Sequence, residues 1–91
     1  KKVTDLERVI EIFVDADISI IKEIIYFDGW CGYEESGGYL IFKGIDDSIQ
    51  YCNYGYSVMA DDNNNYFDPR EITAEEALEM IQEMEKAKNE D

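Results

Sequence analysis

The hydrophobic pattern of this 91-residue chain changes period twice, and these changes limit the folds that it can adopt. The opening stretch, VTDLERVIEIFVDAD, has a capping box of Thr4 and Glu7 followed by apolar residues at helical spacing. The middle of the chain is rich in β-branched and aromatic residues, which favour strands. The final stretch returns to helical spacing after a second capping box, Thr73 and Glu76. The length suits one domain. We therefore expect a single α+β domain over residues 1–91.

The predicted order is an N-terminal helix, an antiparallel sheet of three or four strands, and a C-terminal amphipathic helix. The run ISIIKEIIYF fits either a helix or a strand, and we favour a short link followed by a strand that starts near Lys22. GGYLIFKGI and SIQYCNYGYSVMA are predicted to pair as a hairpin closed by the turn-forming DDS. Gly37 and Gly38 are expected to close the preceding turn, and Pro69 is expected to end the sheet region.

Several apolar residues are predicted to form the core of this sheet and to hold the second helix against it. The expected core aromatics are Phe27, Tyr39 and Phe42, and the expected inward residues of the second helix are Leu78, Ile81 and Met84. Cys31 and Cys52 belong to no C-x-x-C pair, so we interpret them as buried thiols of a reducing cytosol. No apolar run has the length of a membrane-spanning helix or resembles the core of a secretion signal. We therefore expect a cytoplasmic protein with no membrane partner.

The acidic charge is large and concentrated in the middle of the chain. Twenty-two acids against eight bases give a formal net charge of -14, which disfavours direct binding to nucleic acid or to an anionic membrane. Fifteen of these acids but only two bases lie between Glu23 and Glu85. On the second helix, Glu75, Glu79 and Glu83 form a like-charge column, which costs about 0.2–0.5 kcal/mol per pair. Because this repulsion destabilises the helix, the column indicates a surface that binds a basic partner.

Acids at the turns and exposed aromatics extend this predicted partner-binding surface. Tyrosine and tryptophan are enriched at binding hot spots, and eleven of the twelve aromatics lie between Tyr26 and Phe67, interleaved with the acids. The candidate partner-binding residues are Glu34, Glu35, Asp46, Asp47, Asp61, Asp62, Trp30, Tyr54, Tyr56, Glu75, Glu79 and Glu83.

A calcium site and an enzyme active site are the alternatives to a binding surface. Asp61, Asn63 and Asn65 match the first ligand positions of an EF-hand loop, but Tyr66 stands where glycine is needed and Ile72 where a bidentate glutamate is needed. The chain has no histidine, and no serine lies in a nucleophile motif. We therefore predict a protein that is not an enzyme and uses no metal or cofactor.

In size, charge and helix–sheet–helix layout, the chain resembles small phage-encoded anti-CRISPR and anti-restriction proteins that act as DNA mimics. It also looks like bacterial immunity proteins, which block the basic active site of a nuclease toxin. The resemblance implies a cytoplasmic inhibitor that binds the cationic nucleic-acid-binding groove of a defence nuclease or effector complex. An immunity protein with one cognate toxin and an acidic domain of unrelated regulatory function are the alternatives.

Overall fold

Over the residues that the structure describes, the fold is α+β, with a four-stranded antiparallel sheet followed by a C-terminal helix. The structure, a computed structural model, describes residues 7, 9–10, 13, 17–31, 34–57, 59 and 67–89. Its elements are a 3-10 turn (Ile18–Ile20), strands β1 (Ile21–Cys31), β2 (Glu35–Gly44), β3 (Ile49–Ser57) and β4 (Arg70–Ile72), and helix α1 (Ala74–Asn89). The predicted sheet and C-terminal helix are confirmed.

The four strands follow one another across the sheet in chain order, and each neighbouring pair is antiparallel. β1 starts at Ile21, close to the predicted start. Its pairing with β2 shifts register between Ile21 and Glu23 and again between Ile24 and Tyr26. Such bulges bend a strand and disturb its regular ladder, so they make an edge strand a poorer template for unwanted pairing.

The predicted DDS turn joins β2 to β3, and its own side chains hold it. The Gly44 N–H donates to the Ser48 carbonyl at 2.8 Å, and the Asp47 N–H donates to the Gly44 carbonyl at 2.9 Å. Asp47 has a φ of 68°, a left-handed conformation that Asp tolerates better than most residues. Asp46 Oδ1 accepts from the Ser48 N–H at 3.1 Å and from its hydroxyl at 2.6 Å. The turn residues thus satisfy the requirements of a three-residue hairpin loop.

One face of the sheet packs against residues from the start of the chain. Its buried residues are Val9, Phe13, Leu40, Phe42 and Cys52. The Phe67 ring lies edge-on to Phe13, with centroids 5.6 Å apart, and stacks on Phe42 at 5.9 Å. The predicted core role of Phe42 is confirmed, and Phe27 packs against the same cluster. Tyr39, the third predicted core aromatic, is half-buried.

Cys52 is a buried free thiol, as expected for one of the two cysteines. Burial raises the pKa of this thiol to about 12. It is therefore protonated at neutral pH and is a poor nucleophile.

Helix α1 packs on the other face of the sheet, and Ile81, one of its three predicted inward residues, packs there as predicted. Ala77 is buried against Ile41 and Ile72, and Met80 and Ile81 pack beside it. Leu78, predicted to face inward, is 58% exposed. It follows Ala77 by about 100° around the helix, which carries its side chain away from the sheet.

The N-terminus of α1 has the predicted capping box. The Glu76 N–H donates to Thr73 Oγ1, and the Thr73 N–H donates to Glu76 Oε1, both at 3.0 Å. The Ala77 N–H then donates to the Thr73 carbonyl at 3.0 Å, which begins the helical ladder. Across the described ranges, no helix is both long enough and apolar enough to cross a membrane.

Two predicted boundaries of the sheet are wrong. Gly37 and Gly38 lie inside β2, and neither has the positive φ that a glycine turn would use. Both are paired on two sides, since β2 is an inner strand, and they are buried there. Pro69 does not end the sheet but directly precedes β4. Its missing N–H is tolerated at that point because pairing with β3 begins one residue later, at Arg70.

The predicted N-terminal helix is not among the elements that the described residues define. Glu7, Val9 and Ile10 have helical backbone, and the Phe13 N–H donates to the Val9 carbonyl at 3.0 Å. The rest of the predicted helix lies outside the described residues. The first element with defined bounds is instead the 3-10 turn, which Asp17 caps through the Ser19 N–H before the β-branched run enters β1.

Candidate functional site

An open groove of about 350 Å³ lies between α1 and β2, and carboxylates follow its helical side. Its lining residues are Tyr39, Glu76, Glu79, Met80, Glu83 and Met84. Tyr39 lies two residues before Ile41 on β2, and Ile41 packs against α1. Alternate strand residues share one face of a sheet, so the groove continues the helix–sheet interface beyond its closely packed part.

Helical periodicity explains why apolar and acidic residues meet in this groove. Positions three and four residues apart lie on one side of a helix, which brings Glu76, Glu79 and Glu83 into line beside Met80 and Met84. The two methionines are half-buried, whereas the three glutamates are exposed. The methionines and Tyr39 therefore form an apolar floor, and the glutamates form an acidic rim.

Only part of the predicted acidic column belongs to the groove. Glu75, Glu79 and Glu83 are all exposed on α1, but Glu75 does not line the groove, and Glu76 lines it instead. The sequence prediction treated Glu76 only as a capping residue and missed Tyr39 and Met80 as lining residues. A usable signal was present, because Met80 and Met84 are one helical turn apart and each directly follows a glutamate.

Glu76 is the rim carboxylate whose protonation is most constrained by structure. The hydrogen bond from the Thr73 N–H lowers its pKa, with further contributions from the Thr73 side chain and from the positive charge of Arg70. A carboxylate near a helix N-terminus is also favoured by the helix dipole. Glu76 therefore keeps its negative charge at neutral pH and well into the acidic range.

Two of the described lysines interact with the turn between β2 and β3 rather than with the rim. Lys22 Nζ lies 2.7 Å from Asp47 Oδ1, and Lys43 Nζ lies 4.0 Å from the same oxygen. The Arg70 guanidinium carbon lies 5.3 Å from the centroid of the Tyr51 ring, a cation–π arrangement. Lys22 and Lys43 therefore do not neutralise the rim, whereas the charge of Arg70 contributes to the lowered pKa of Glu76.

The turn acids Asp46 and Asp47 lie apart from the groove and have a structural role in the turn. Hydrogen bonds from Ser48 lower the pKa of Asp46, and the hydrogen bond and charge of Lys22 lower the pKa of Asp47. The turn begins after Gly44, which is about 17 Å along β2 from Tyr39. The structure therefore does not bring these predicted site residues into the α1 groove.

The three predicted aromatic anchors occupy different rows of the sheet. In the β-ladder, Trp30 is opposite Gly37, Tyr54 is opposite Gly38, and Tyr56 is opposite Ser36. The three backbone positions are therefore opposite the consecutive β2 residues 36–38.

The remaining predicted residues are only partly described. Glu34 is exposed before β2, and Glu35 is opposite Ser57 in the ladder. Asp61 and Asp62, together with the calcium alternative that included Asp61, lie outside the described residues. Within the described ranges, no group of three Asp, Glu, Cys or His side chains is arranged to hold a metal ion.

Comparisons of the chain with protein-family models, with curated proteins and with solved structures find no match. Function is therefore inferred from the chemistry of the groove and of the acidic surface.

Proposed function

We propose that this protein is a non-enzymatic inhibitor that binds the cationic nucleic-acid-binding surface of a nuclease or effector complex and excludes the nucleic acid. The observation that carries the proposal is the α1 groove, whose rim holds Glu76, Glu79 and Glu83 beside an apolar floor. A surface that is both acidic and partly apolar suits a protein partner with exposed lysine and arginine side chains.

The charge of the whole chain supports the same kind of partner. A net charge of -14 attracts a basic surface over distance and repels nucleic acid. A nucleic-acid-binding channel is lined with the lysine and arginine side chains that otherwise neutralise phosphates. An acidic protein that occupies this channel competes directly with the substrate. This location also requires the inhibitor to be in the same compartment as its target, which we propose is the cytoplasm.

A competition experiment tests the proposed function. Candidate nucleases and effector complexes are loaded with fluorescently labelled DNA, and displacement is followed by anisotropy as the protein is added. We expect displacement at one-to-one stoichiometry. Direct binding of the protein to the target, measured without DNA, should weaken at higher salt, because screening lengths fall from about 30 Å at 0.01 M to about 10 Å at 0.1 M. Poly-glutamate of equal total charge is the control. A complex that forms without any change in DNA affinity contradicts the proposal.

Toxin immunity is the second candidate, and the apolar floor of Tyr39, Met80 and Met84 favours it over a purely electrostatic decoy. Tight binding of a single cognate partner usually depends on buried apolar contacts at the interface centre. In this case one nuclease toxin is inhibited at its active site, and unrelated DNA-binding proteins are not affected. Comparing inhibition across a panel of nucleases distinguishes one cognate target from a class of targets.

A further inference from the structure

We propose that the α1 groove binds a basic amphipathic helix of the partner, with an apolar side chain on the groove floor and arginine or lysine side chains against the rim. This inference rests on the proposed function for the presence of a cationic partner. It adds the class of segment that is recognised and the residues that recognise it.

The floor of the groove favours contact with an apolar group of the partner. Tyr39 and the two half-buried methionines offer apolar surface that phosphate mimicry alone would not need. At about 350 Å³, the groove is at the small end of the range of about 300–1,000 Å³ that is usual for ligand pockets. It is therefore sized for a few side chains rather than for a whole domain surface. Methionine side chains adapt to apolar groups of different shape.

The spacing of the rim carboxylates favours a helix over an extended segment. Glu76, Glu79 and Glu83 are separated by three and then four residues, so along the axis of α1 they lie at about 0, 4.5 and 10.5 Å. A second helix lying along α1 repeats these intervals with basic residues at three- and four-residue spacing. Alternate residues of an extended segment are about 6.7 Å apart, so their side chains do not match the axial positions of the second and third carboxylates. Helix-in-groove recognition also uses apolar anchors at this helical spacing.

A second copy of the chain is a poor occupant by comparison. Each copy has a net charge of -14, so bringing two acidic rims together is opposed by mutual repulsion. The charge complementarity that the rim requires is met by a basic segment.

The test uses two synthetic helical peptides of equal positive charge, measured by isothermal titration calorimetry at 0.15 M salt. Both have arginine at positions i, i+3 and i+7 in an alanine-rich background, and they differ only in having leucine or serine at i+4. We expect saturable one-to-one binding of the leucine peptide, about tenfold tighter than that of the serine peptide. Equal affinities, or no saturable binding of the leucine peptide, overturn the proposal.

Matched variants locate the binding site on the protein. The double substitution Glu79→Gln and Glu83→Gln removes two rim charges, and Glu75→Gln with Glu85→Gln removes two exposed helix charges that do not line the groove. We expect about tenfold weaker peptide binding for the first pair and a change within about twofold for the second. Equal losses in both pairs would indicate a general charge effect and would overturn the assignment.

A second matched pair tests the floor. Met84→Gln replaces a lining residue, and Leu78→Gln replaces an exposed apolar residue of the same helix. Only Met84→Gln should weaken binding of the leucine peptide, and circular dichroism checks that both variants are folded. Sedimentation of the protein alone checks for self-association, and a dimer lost on Met84→Gln would assign the groove to a second copy and overturn the proposal.

The DNA competition experiment separates this inference from the proposed function. If the Glu79→Gln and Glu83→Gln variant displaces DNA from the target as well as the parent does, the groove assignment fails and the inhibitory function remains. If the parent protein binds the leucine peptide through the groove but displaces no DNA, the groove assignment stands and the inhibitory function fails.

Discussion

Removing the Thr73 hydroxyl should measurably destabilise helix α1 and its packing against the sheet. Thr73 Oγ1 accepts a 3.0 Å hydrogen bond from the Glu76 N–H, one of the donors that the helix itself cannot satisfy. Thr73→Ala removes this acceptor, and N-cap replacements of this kind cost about 0.5–2 kcal/mol, typically about 1 kcal/mol. For a domain of this size, about 1 kcal/mol corresponds to a fall of about 4–8 °C in Tm.

The assay is urea unfolding of the parent, Thr73→Ala and Thr73→Ser, followed by circular dichroism at neutral pH. Serine keeps the hydroxyl acceptor, so Thr73→Ser should be close to the parent in stability. The two variants have the same charge, which removes electrostatics as an explanation. If Thr73→Ala were as stable as Thr73→Ser, the capping box would contribute nothing to stability, and our explanation of the start of α1 would be refuted.

The capping box also predicts a pH dependence with a definite sign. Because the folded-state pKa of Glu76 is lowered from 4.5, its carboxylate contributes stability that is fully present above the unfolded value. This contribution is lost as the pH falls through the lower, folded-state pKa. Glu76→Gln should therefore be less stable than the parent at pH 7, and the difference should shrink on acidification. A difference independent of pH would show that the charge of Glu76 does not stabilise the cap.

Three further predictions concern the sheet and its turn. Gly44→Ala places a Cβ 2.8 Å from Gln50 Nε2 of β3 and 2.9 Å from Asp46 Oδ1, which accepts the hydrogen bonds of the turn, and should cost about 1 kcal/mol in urea unfolding. Gly55→Ala meets nothing within 4 Å and should be neutral or stabilising by up to about 1 kcal/mol. Equal effects would contradict the packing argument. Phe42→Ala should cost about 3–5 kcal/mol, a large part of the total stability of a small domain, and near-parental unfolding would exclude its central core role. Lys22 lowers the pKa of Asp47 from 3.8, so the Asp47 carboxylate should stabilise the fold at pH 7 and lose this effect as the pH falls through the lower, folded-state pKa. Asp47→Asn should abolish that part of the pH dependence of stability, and asparagine also tolerates the left-handed backbone at this position.

Features set by neighbouring residues could be predicted from the sequence because their physical causes are local. The Thr73 and Glu76 capping box needs only two side chains three residues apart and the backbone between them. The turn between β2 and β3 likewise depends on Asp46, Asp47 and Ser48, whose side chains and backbone preferences lie within the turn. The sheet and the C-terminal helix follow from the two hydrophobic periods.

Features that depend on which surfaces meet were decided only by the tertiary structure. Two adjacent glycines are compatible with a turn, but Gly37 and Gly38 pair on both sides in an inner strand, and only the neighbouring strands determine this. Leu78 and Met84 both fit an apolar helical face, yet the sheet covers the stripe centred near Ala77 and leaves Leu78 exposed. The groove also depends on tertiary packing, because it lies where the closely packed part of the interface between α1 and the sheet ends, near Tyr39. The burial of each side chain depends on the element packed against it rather than on its own chemistry.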